Sequence, residues 1–345
     1  MKIAIDCHKL QTKNWAGTEQ YLISFLEKLK KENEDHEYIL YFRKAVFPKN
    51  YFPQNFRIKN IQVPVILWQI YVLIDLWRMR ADLLIAPAFN LLAGINFFIP
   101  MHVIVHDLTT FIPNISKTHT WVTRMREKFI ISLKNAQKII TVSQNSKKDL
   151  IHFFNVDSTK IEISPPEIHS RFRKIKDQDT IDQKLAIYHL PSDFILSIGT
   201  LEPRKNIDGL IHAYALLAKE VRDLPKLLIV GKKGWFYEKI FRKVQELKLA
   251  DDIIFTNYLL DEVLPYLYNR ARFLVYPSFY EGFGMPVLEA MRCACPVISS
   301  RVSSLPEVLG DRGILINPYN IVEIKEAMKV MWRDALNLRI SLLKD

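Results

Sequence analysis

Two carboxylates, Glu281 and Glu289, flank a Gly282-Phe283-Gly284 turn, and far upstream two adjacent cations, Arg204 and Lys205, follow Gly199. Glycine takes a positive φ and lets a ligand approach the backbone. A helix starting at such a turn points unpaired N–H groups outward, a setting that favours anions and phosphate above all. Arginine grips phosphate oxygens in a planar fork and lysine adds a compact charge, so the 204–205 pair suits a diphosphate. The two carboxylates then have hydroxyl-rich, neutral parts of the same ligand to hold on either side of the anion. One helix cap and one surface carboxylate is the plainer alternative. A third candidate is His106, which with Asp107 ends the apolar run Met101–Val105. The carboxyl end of a parallel strand is where α/β folds place ligands. Asp107 either orients the imidazole or caps the next element.

These residues need elements to carry them. Phe273–Tyr276 reads as a strand, the segment with Glu289 and Ala290 as a helix, and Pro296–Ser299 as another strand. Phe194–Ile198 is a strand running into Gly199, followed by a helix from Asp208 to about Lys219 and a strand at Lys226–Val230. In the first half, Lys2–Asp6, Tyr38–Phe42, Ala81–Ala86, Met101–Val105 and Ile139–Val142 read as strands. A helix opens at Ala16-Gly17 with Leu22, Phe25, Leu26 and Leu29 at helical spacing. Ser143 and Ser146 open another helix, where Ser143 serves as an N-cap or as a donor to a ligand. Strands alternating with helices define an α/β protein. A chain of 345 residues exceeds the size of a single core, so two domains are expected, 1–170 and 191–345, joined by a polar linker at 171–190.

Composition narrows the classes. Three cysteines, Cys7, Cys293 and Cys295, are an odd number without a metal-ligand cluster, which points to a reducing compartment and small buried side chains. No signal peptide is expected, since the chain opens directly on a strand pattern. The apolar runs 61–77 and 91–105 are broken by Pro64 and Asp75 and by Gly94, Pro100 and His102, too soon for a spanning helix. Residues 1–180 hold 26 Lys and Arg against 17 Asp and Glu, so most of the formal +11 lies there and favours anionic partners. Segment 117–138 interleaves basic residues with Trp121, Val122, Met125, Phe129, Ile130 and Leu133. It is either a solvated helix face or a surface that meets an anionic membrane. Gly231-Lys232-Lys233-Gly234 lacks the spacing of an ATPase phosphate loop.

The stretch EGFGMPVLEA, with Tyr276-Pro277-Ser278 before it and Ser303-Ser304-Leu305-Pro306-Glu307 after it, resembles the Glu-x7-Glu signature of family 4 retaining glycosyltransferases. That resemblance implies a GT-B fold, two Rossmann-like domains facing a central cleft, and hexosyl transfer from a nucleotide-sugar. GDP-mannose is favoured as donor, ahead of UDP- or dTDP-sugars. The acceptor is a saccharide or lipid-linked saccharide in surface polysaccharide or lipopolysaccharide synthesis. It assigns catalytic roles to His106, Glu281, Arg204 and Lys205, and donor binding to Gly17, Gly199, Tyr258, Gly282, Phe283, Gly284, Met285 and Glu289. No cofactor or metal is required, because two cations stand at the leaving diphosphate and no Asp-x-Asp pair ends a strand. A cytoplasmic place is implied, with peripheral contact of the basic N-terminal domain to an anionic membrane and no nucleic-acid partner. Many family members carry a Gly pair where this chain has Ala16-Gly17. Another GT-B enzyme such as a sugar phosphorylase, and a non-enzymatic basic polyanion- or membrane-binding protein, are the alternatives.

Overall fold

Runs such as Leu227–Val230 and Phe273–Tyr276 offer almost no polar side chain and need burial on both faces, which a parallel sheet covered by helices provides. The computed structural model describes residues 1–11, 17–32, 35–44, 47–48, 50–87, 99–112 and 120–341, and has two such sheets. They belong to two units, Met1–Glu167 and Ile168–Asp345. Ala16, Gly94, Lys117 and the side chains of Trp121, Val122 and Met125, all invoked above, lie outside the described residues.

The first unit runs β1 (Lys2–Asp6), α1 (Gly17–Glu32), β2 (Glu37–Phe42), β3 (Phe56–Asn60), α2 (Val65–Met79), β4 (Leu83–Pro87) and β5 (Met101–Val105). It continues through α3 (Thr120–Asn135), β6 (Lys138–Thr141), α4 (Gln144–Phe154) and β7 (Ile161–Ile163). Its parallel strands lie in the order β3-β2-β1-β4-β5-β6-β7. Ile5, Leu40, Leu84, Val103 and Ile139 are buried along it. Ser143 caps α4, its Oγ accepting from the Ser146 N–H at 3.0 Å. The 61–77 run is mostly helix α2. Trp68 anchors it, fully buried, with Nε1 3.3 Å from the Phe42 carbonyl oxygen. Asp75, the residue that breaks its apolar pattern, accepts from Lys59 Nζ at 2.5 Å and from the Tyr41 hydroxyl at 2.7 Å.

The second unit runs α5 (Gln178–Ala186), β8 (Phe194–Ile198), α6 (Ile207–Ala218), β9 (Lys226–Val230), α7 (Tyr237–Glu246), β10 (Ile253–Phe255) and α8 (Leu264–Arg270). Then come β11 (Phe273–Tyr276), α9 (Met285–Arg292), β12 (Val297–Ser300), α10 (Leu305–Leu309), β13 (Ile314–Ile316) and α11 (Ile321–Ser341). The strand order is β10-β9-β8-β11-β12-β13, all parallel. The direction of winding reverses between β8 and β11, and ligands of doubly wound sheets bind outside the carboxyl ends at such a point. Cys293 and Cys295 are free and buried within this unit's core, as Cys7 is in the first.

Segment 171–190 is not a linker over most of its length. Ile181 and Leu185 of α5 are buried in the same core as Phe194 and Leu228, and Asn269 donates to the Arg173 carbonyl oxygen at 2.9 Å. Its polar composition is the outer face of a packed helix, and the two apolar residues four apart carry the packing. Among the described residues no helix is long and apolar enough to cross a membrane. Because Trp68 is the largest side chain that α2 buries fully, Trp68→Ala is expected to cost about 3–5 kcal/mol in urea unfolding. A loss under about 1 kcal/mol would show that α2 is held by other contacts.

Candidate active site

β8 and β11 are neighbours in the sheet, so the loops leaving their carboxyl ends meet although 77 positions separate Arg204 from Glu281. After β8 the chain turns at Gly199, φ +151°, where a Cβ would lie 3.1 Å from the Lys205 Cε. The lysine stem lies across that bare backbone. Gly231, at the end of β9, approaches closer still: a Cβ there would stand 1.9 Å from the Gly199 carbonyl oxygen. The Gly199 N–H donates to the Val230 carbonyl oxygen at 2.9 Å, and the Gly231 N–H to that of Asn257 at 2.9 Å. Three strand ends are thereby stitched into one floor.

On that floor the cations and the first carboxylate converge. Arg204 Nη1 is 2.5 Å from Glu281 Oε2, and Lys205 Nζ is 2.6 Å from Glu281 Oε1. Lys205 Nζ also donates to the Tyr276 hydroxyl at 2.5 Å, and that hydroxyl donates to Glu281 Oε1 at 2.9 Å. Two of the three Lys205 N–H donors are thus used and one remains for a ligand. Arg204 further donates to Glu202 Oε1 through Nε and Nη2 and to the Tyr280 carbonyl oxygen through Nη1. Burial pushes the Glu281 carboxyl up, but Arg204 and then Lys205 outweigh it and hold the group at about 2, so it is ionised. Burial likewise lowers the Lys205 pKa, and the Glu281 charge opposes that shift.

Glu281 therefore sits on both cations, whereas the sequence reading assigned it to a sugar and them to a diphosphate as separate groups. Glu202 and Tyr276 were not singled out as site residues. Tyr276 had a signal, as the last residue of a strand running into the turn; Glu202 had none beyond its place two before Arg204.

The turn itself is held from β12's far end. The Glu281 N–H donates to Ser303 Oγ at 3.0 Å, and Ser304 Oγ lies 2.9 Å and 2.7 Å from the carbonyl oxygens of Glu281 and Phe283. Gly284 takes φ +112° with Leu305 where a Cβ would go, and Phe283 packs half-buried on the core. Gly282 is buried beside it. The amides at the start of α9 are fewer than the sequence reading supposed. Pro286 has no N–H and the Val287 N–H donates to the Gly284 carbonyl oxygen at 3.0 Å, so of the first three only the Met285 N–H is without a backbone acceptor among the described residues.

Glu289 lies on the inward face of α9, where the Tyr268 hydroxyl donates to it at 2.8 Å. Burial raises its pKa most, the Tyr268 bond opposes, and the Asp261 charge adds, leaving it at about 7. Asp261 also accepts from the Tyr258 hydroxyl at 3.3 Å, so Tyr258 and Glu289 share a neighbour.

His106 and Gly17 belong to the first unit. His106 follows the last residue of β5, its ring edge-on to Tyr21 at 4.9 Å, and among the described residues its buried Nδ1 has no hydrogen-bond partner. Burial, and then the Lys9 charge, lower its pKa to about 3, so the imidazole is neutral. Asp107 accepts from the Thr109 N–H at 3.1 Å, which decides for capping over orienting the ring. Gly17 opens α1 with open space where a Cβ would lie. An acid and a histidine not singled out earlier stand at the end of β1: His8 Nδ1 is 2.7 Å from Asp6 Oδ1.

Two parallel-sheet α/β units, the second with basic and acidic side chains meeting at its switch point, define the GT-B fold. Residues 177–341, nearly all of the second unit, match the family model Glycosyl transferases group 1. The chain is 38% identical over 234 residues to O-antigen chain mannosyltransferase B of Escherichia coli, a match covering 66% of this chain and 61% of that relative. It thus spans about three fifths of the relative's length. Among solved structures, WaaG, a glycosyltransferase involved in lipopolysaccharide biosynthesis, superposes with a TM-score of 0.75 at 16% identity, over 99% of this chain and 95% of that one. Anabaena Alr3699/HepE in complex with UDP-glucose gives 0.76 at 18% identity, over 100% and 95%.

Glu289 makes stability depend on pH with a definite sign. Its folded pKa of about 7 lies above the 4.5 of a free glutamate, so between those values the folded state holds a proton the unfolded state has lost. Stability falls as pH rises through that window. Relative to Glu289→Gln, the wild type is expected to lose on the order of 3 kcal/mol between pH 5 and pH 8 in urea titrations. A pH-independent difference between the two proteins would show that Glu289 is ionised throughout.

Proposed function

We propose that this chain is a retaining glycosyltransferase that moves a hexose, mannose in the first place, from a nucleotide diphosphate sugar to a saccharide or lipid-linked saccharide acceptor in surface polysaccharide or lipopolysaccharide synthesis. One observation carries the reading: Arg204, Lys205 and Glu281 are brought together at the switch point of a glycosyl transferases group 1 domain. The mannosyltransferase named above supports the sugar, and makes GDP-mannose the first donor to try. The UDP-glucose complex of the Anabaena protein supports a nucleotide-sugar in general.

In this reading the bond from the anomeric carbon to the diphosphate oxygen breaks and negative charge builds on that oxygen. Arg204, the remaining N–H of Lys205 and the Met285 amide stabilise it where it forms. The acceptor oxygen bonds to the same face of the anomeric carbon, and its proton passes to the leaving phosphate. Glu281 and Glu289 take sugar and ribose hydroxyls. Gly17, Gly199 and the 282–284 turn let the backbone approach the donor, and Tyr258 lies toward the base. An imidazole with a pKa of about 3 has no proton to give at neutral pH, so His106 is assigned a hydrogen bond to a sugar hydroxyl. The reading calls for no metal, and for a place at the inner face of the plasma membrane.

Thermal-shift measurements with GDP-mannose and with UDP-, dTDP- and ADP-sugars are expected to give the largest rise with GDP-mannose. No shift with any of them would overturn the reading, and a shift with a UDP-sugar alone would overturn the choice of donor. Glu281→Ala frees both cations, so nucleotide diphosphate binding is expected to persist while transfer falls about 100-fold or more. Arg204→Ala is expected to weaken both. Normal transfer by both variants would dismiss the site.

A further inference from the structure

Helix α2 wears its apolar side outward. Trp77 is 73% exposed, Leu67 56%, and Ile70, Tyr71 and Ile74 between 46% and 49%. Spaced three or four apart, these five share one face, roughly a third of the circumference of a helix. The opposite face is already occupied, since Trp68, Val72 and Leu76 are fully buried against the sheet. A face of this kind on a monomer marks an interaction surface.

Charge selects what covers it. The helix has one acid, Asp75, and that carboxylate is held by Lys59 and Tyr41. Arg78 and Arg80 are exposed at the carboxyl end, Arg80 in the left-handed region at φ 50°. A second copy packed helix on helix against this face would set arginines against arginines, the one carboxylate of α2 being already taken. Helix α3, whose charge pattern also suggested a membrane surface, is a weaker candidate: Arg126 is turned back to donate to the Thr110 carbonyl oxygen through Nε and Nη2.

We propose that the outward face of α2 docks on an anionic lipid bilayer, with Leu67, Ile70, Tyr71, Ile74 and Trp77 sunk to the level of the headgroups and Arg78 and Arg80 on lipid phosphates. Aromatic and aliphatic side chains along one face with cations at its border are what a helix lying in the membrane interface requires. The inference rests on the membrane part of the reading above and not on its transfer chemistry, so the two fail in different assays.

The full chain is tested by co-sedimentation with unilamellar vesicles, of phosphatidylcholine alone or with phosphatidylglycerol, at physiological salt. The wild type is expected to bind the anionic vesicles. Ile70→Ser/Ile74→Ser/Trp77→Ser is expected to lower that binding at least about tenfold. Arg78→Gln/Arg80→Asn is expected to lower it about 30-fold, and to leave binding to phosphatidylcholine unchanged. Val330→Ser, at an exposed apolar position on α11, is the control and should bind as the wild type. Thermal unfolding and the nucleotide-sugar shift of each variant check that the fold and donor site are intact. Should the triple variant not fold, Trp77→Ser alone carries the test. Wild type that ignores anionic vesicles, or a triple variant that binds them as well as wild type, overturns the proposal. So does a wild-type dimer that ignores vesicles and that the triple variant turns into monomer, since it makes α2 a self-association face.

Discussion

The second unit is organised around a carboxylate shared by two cations. Glu281 places one oxygen on Arg204 and the other on Lys205, all three largely out of solvent. Such a cluster is expensive to desolvate, and it persists only when every member finds further partners. Here they come from four directions: Glu202 and the Tyr280 carbonyl for the guanidinium, Tyr276 for the ammonium, and Ser303 for the Glu281 backbone. The fold supplies those directions. Adjacent parallel strands bring loops from distant parts of the chain to one edge, and bare glycine backbone gives the lysine stem a channel to reach it.

The cluster is close to neutral as it stands, with two cations answered by Glu202 and Glu281. In the proposed reaction a diphosphate has to share the cations with Glu281 or displace its carboxylate. A helix start with a proline at its second position offers few amides in compensation, so side chains carry the neutralisation. Glu281 then has two duties in the proposed reaction. It holds the cations in place while the site is empty, and it becomes available for a sugar hydroxyl once phosphate oxygens take over its partners.

Much of this was legible in the sequence, for reasons that differ by element. Strands such as Met101–Val105, Phe194–Ile198, Lys226–Val230 and Phe273–Tyr276 have the observed bounds, because a parallel strand covered on both faces is a short, mostly apolar run with turn-forming or polar residues beyond its end. The segment 171–190 misled because its helix buries only two apolar side chains in nine residues. At the site, the residue types of Arg204, Lys205 and Glu281 drew attention to three side chains that the fold brings together. Spacing along a chain does not say which side chains close on each other across two loops, and so the Glu281 bridge, Tyr276 and Glu202 emerged only from the fold. The Met285-Pro286 start could have been weighed, since proline's missing donor is visible in the sequence.

The contact of Gly231 with the Gly199 carbonyl has a consequence for how the protein meets its ligand. Two backbones touching without side chains between them leave no slack for the strand ends to drift apart, so the floor is rigid before anything lands on it. Ordering entropy is then lost during synthesis of the fold and not at each encounter. Association with a phosphate-bearing molecule at this floor should have the thermodynamics of a rigid receptor, with little of the unfavourable entropy that accompanies the ordering of loops.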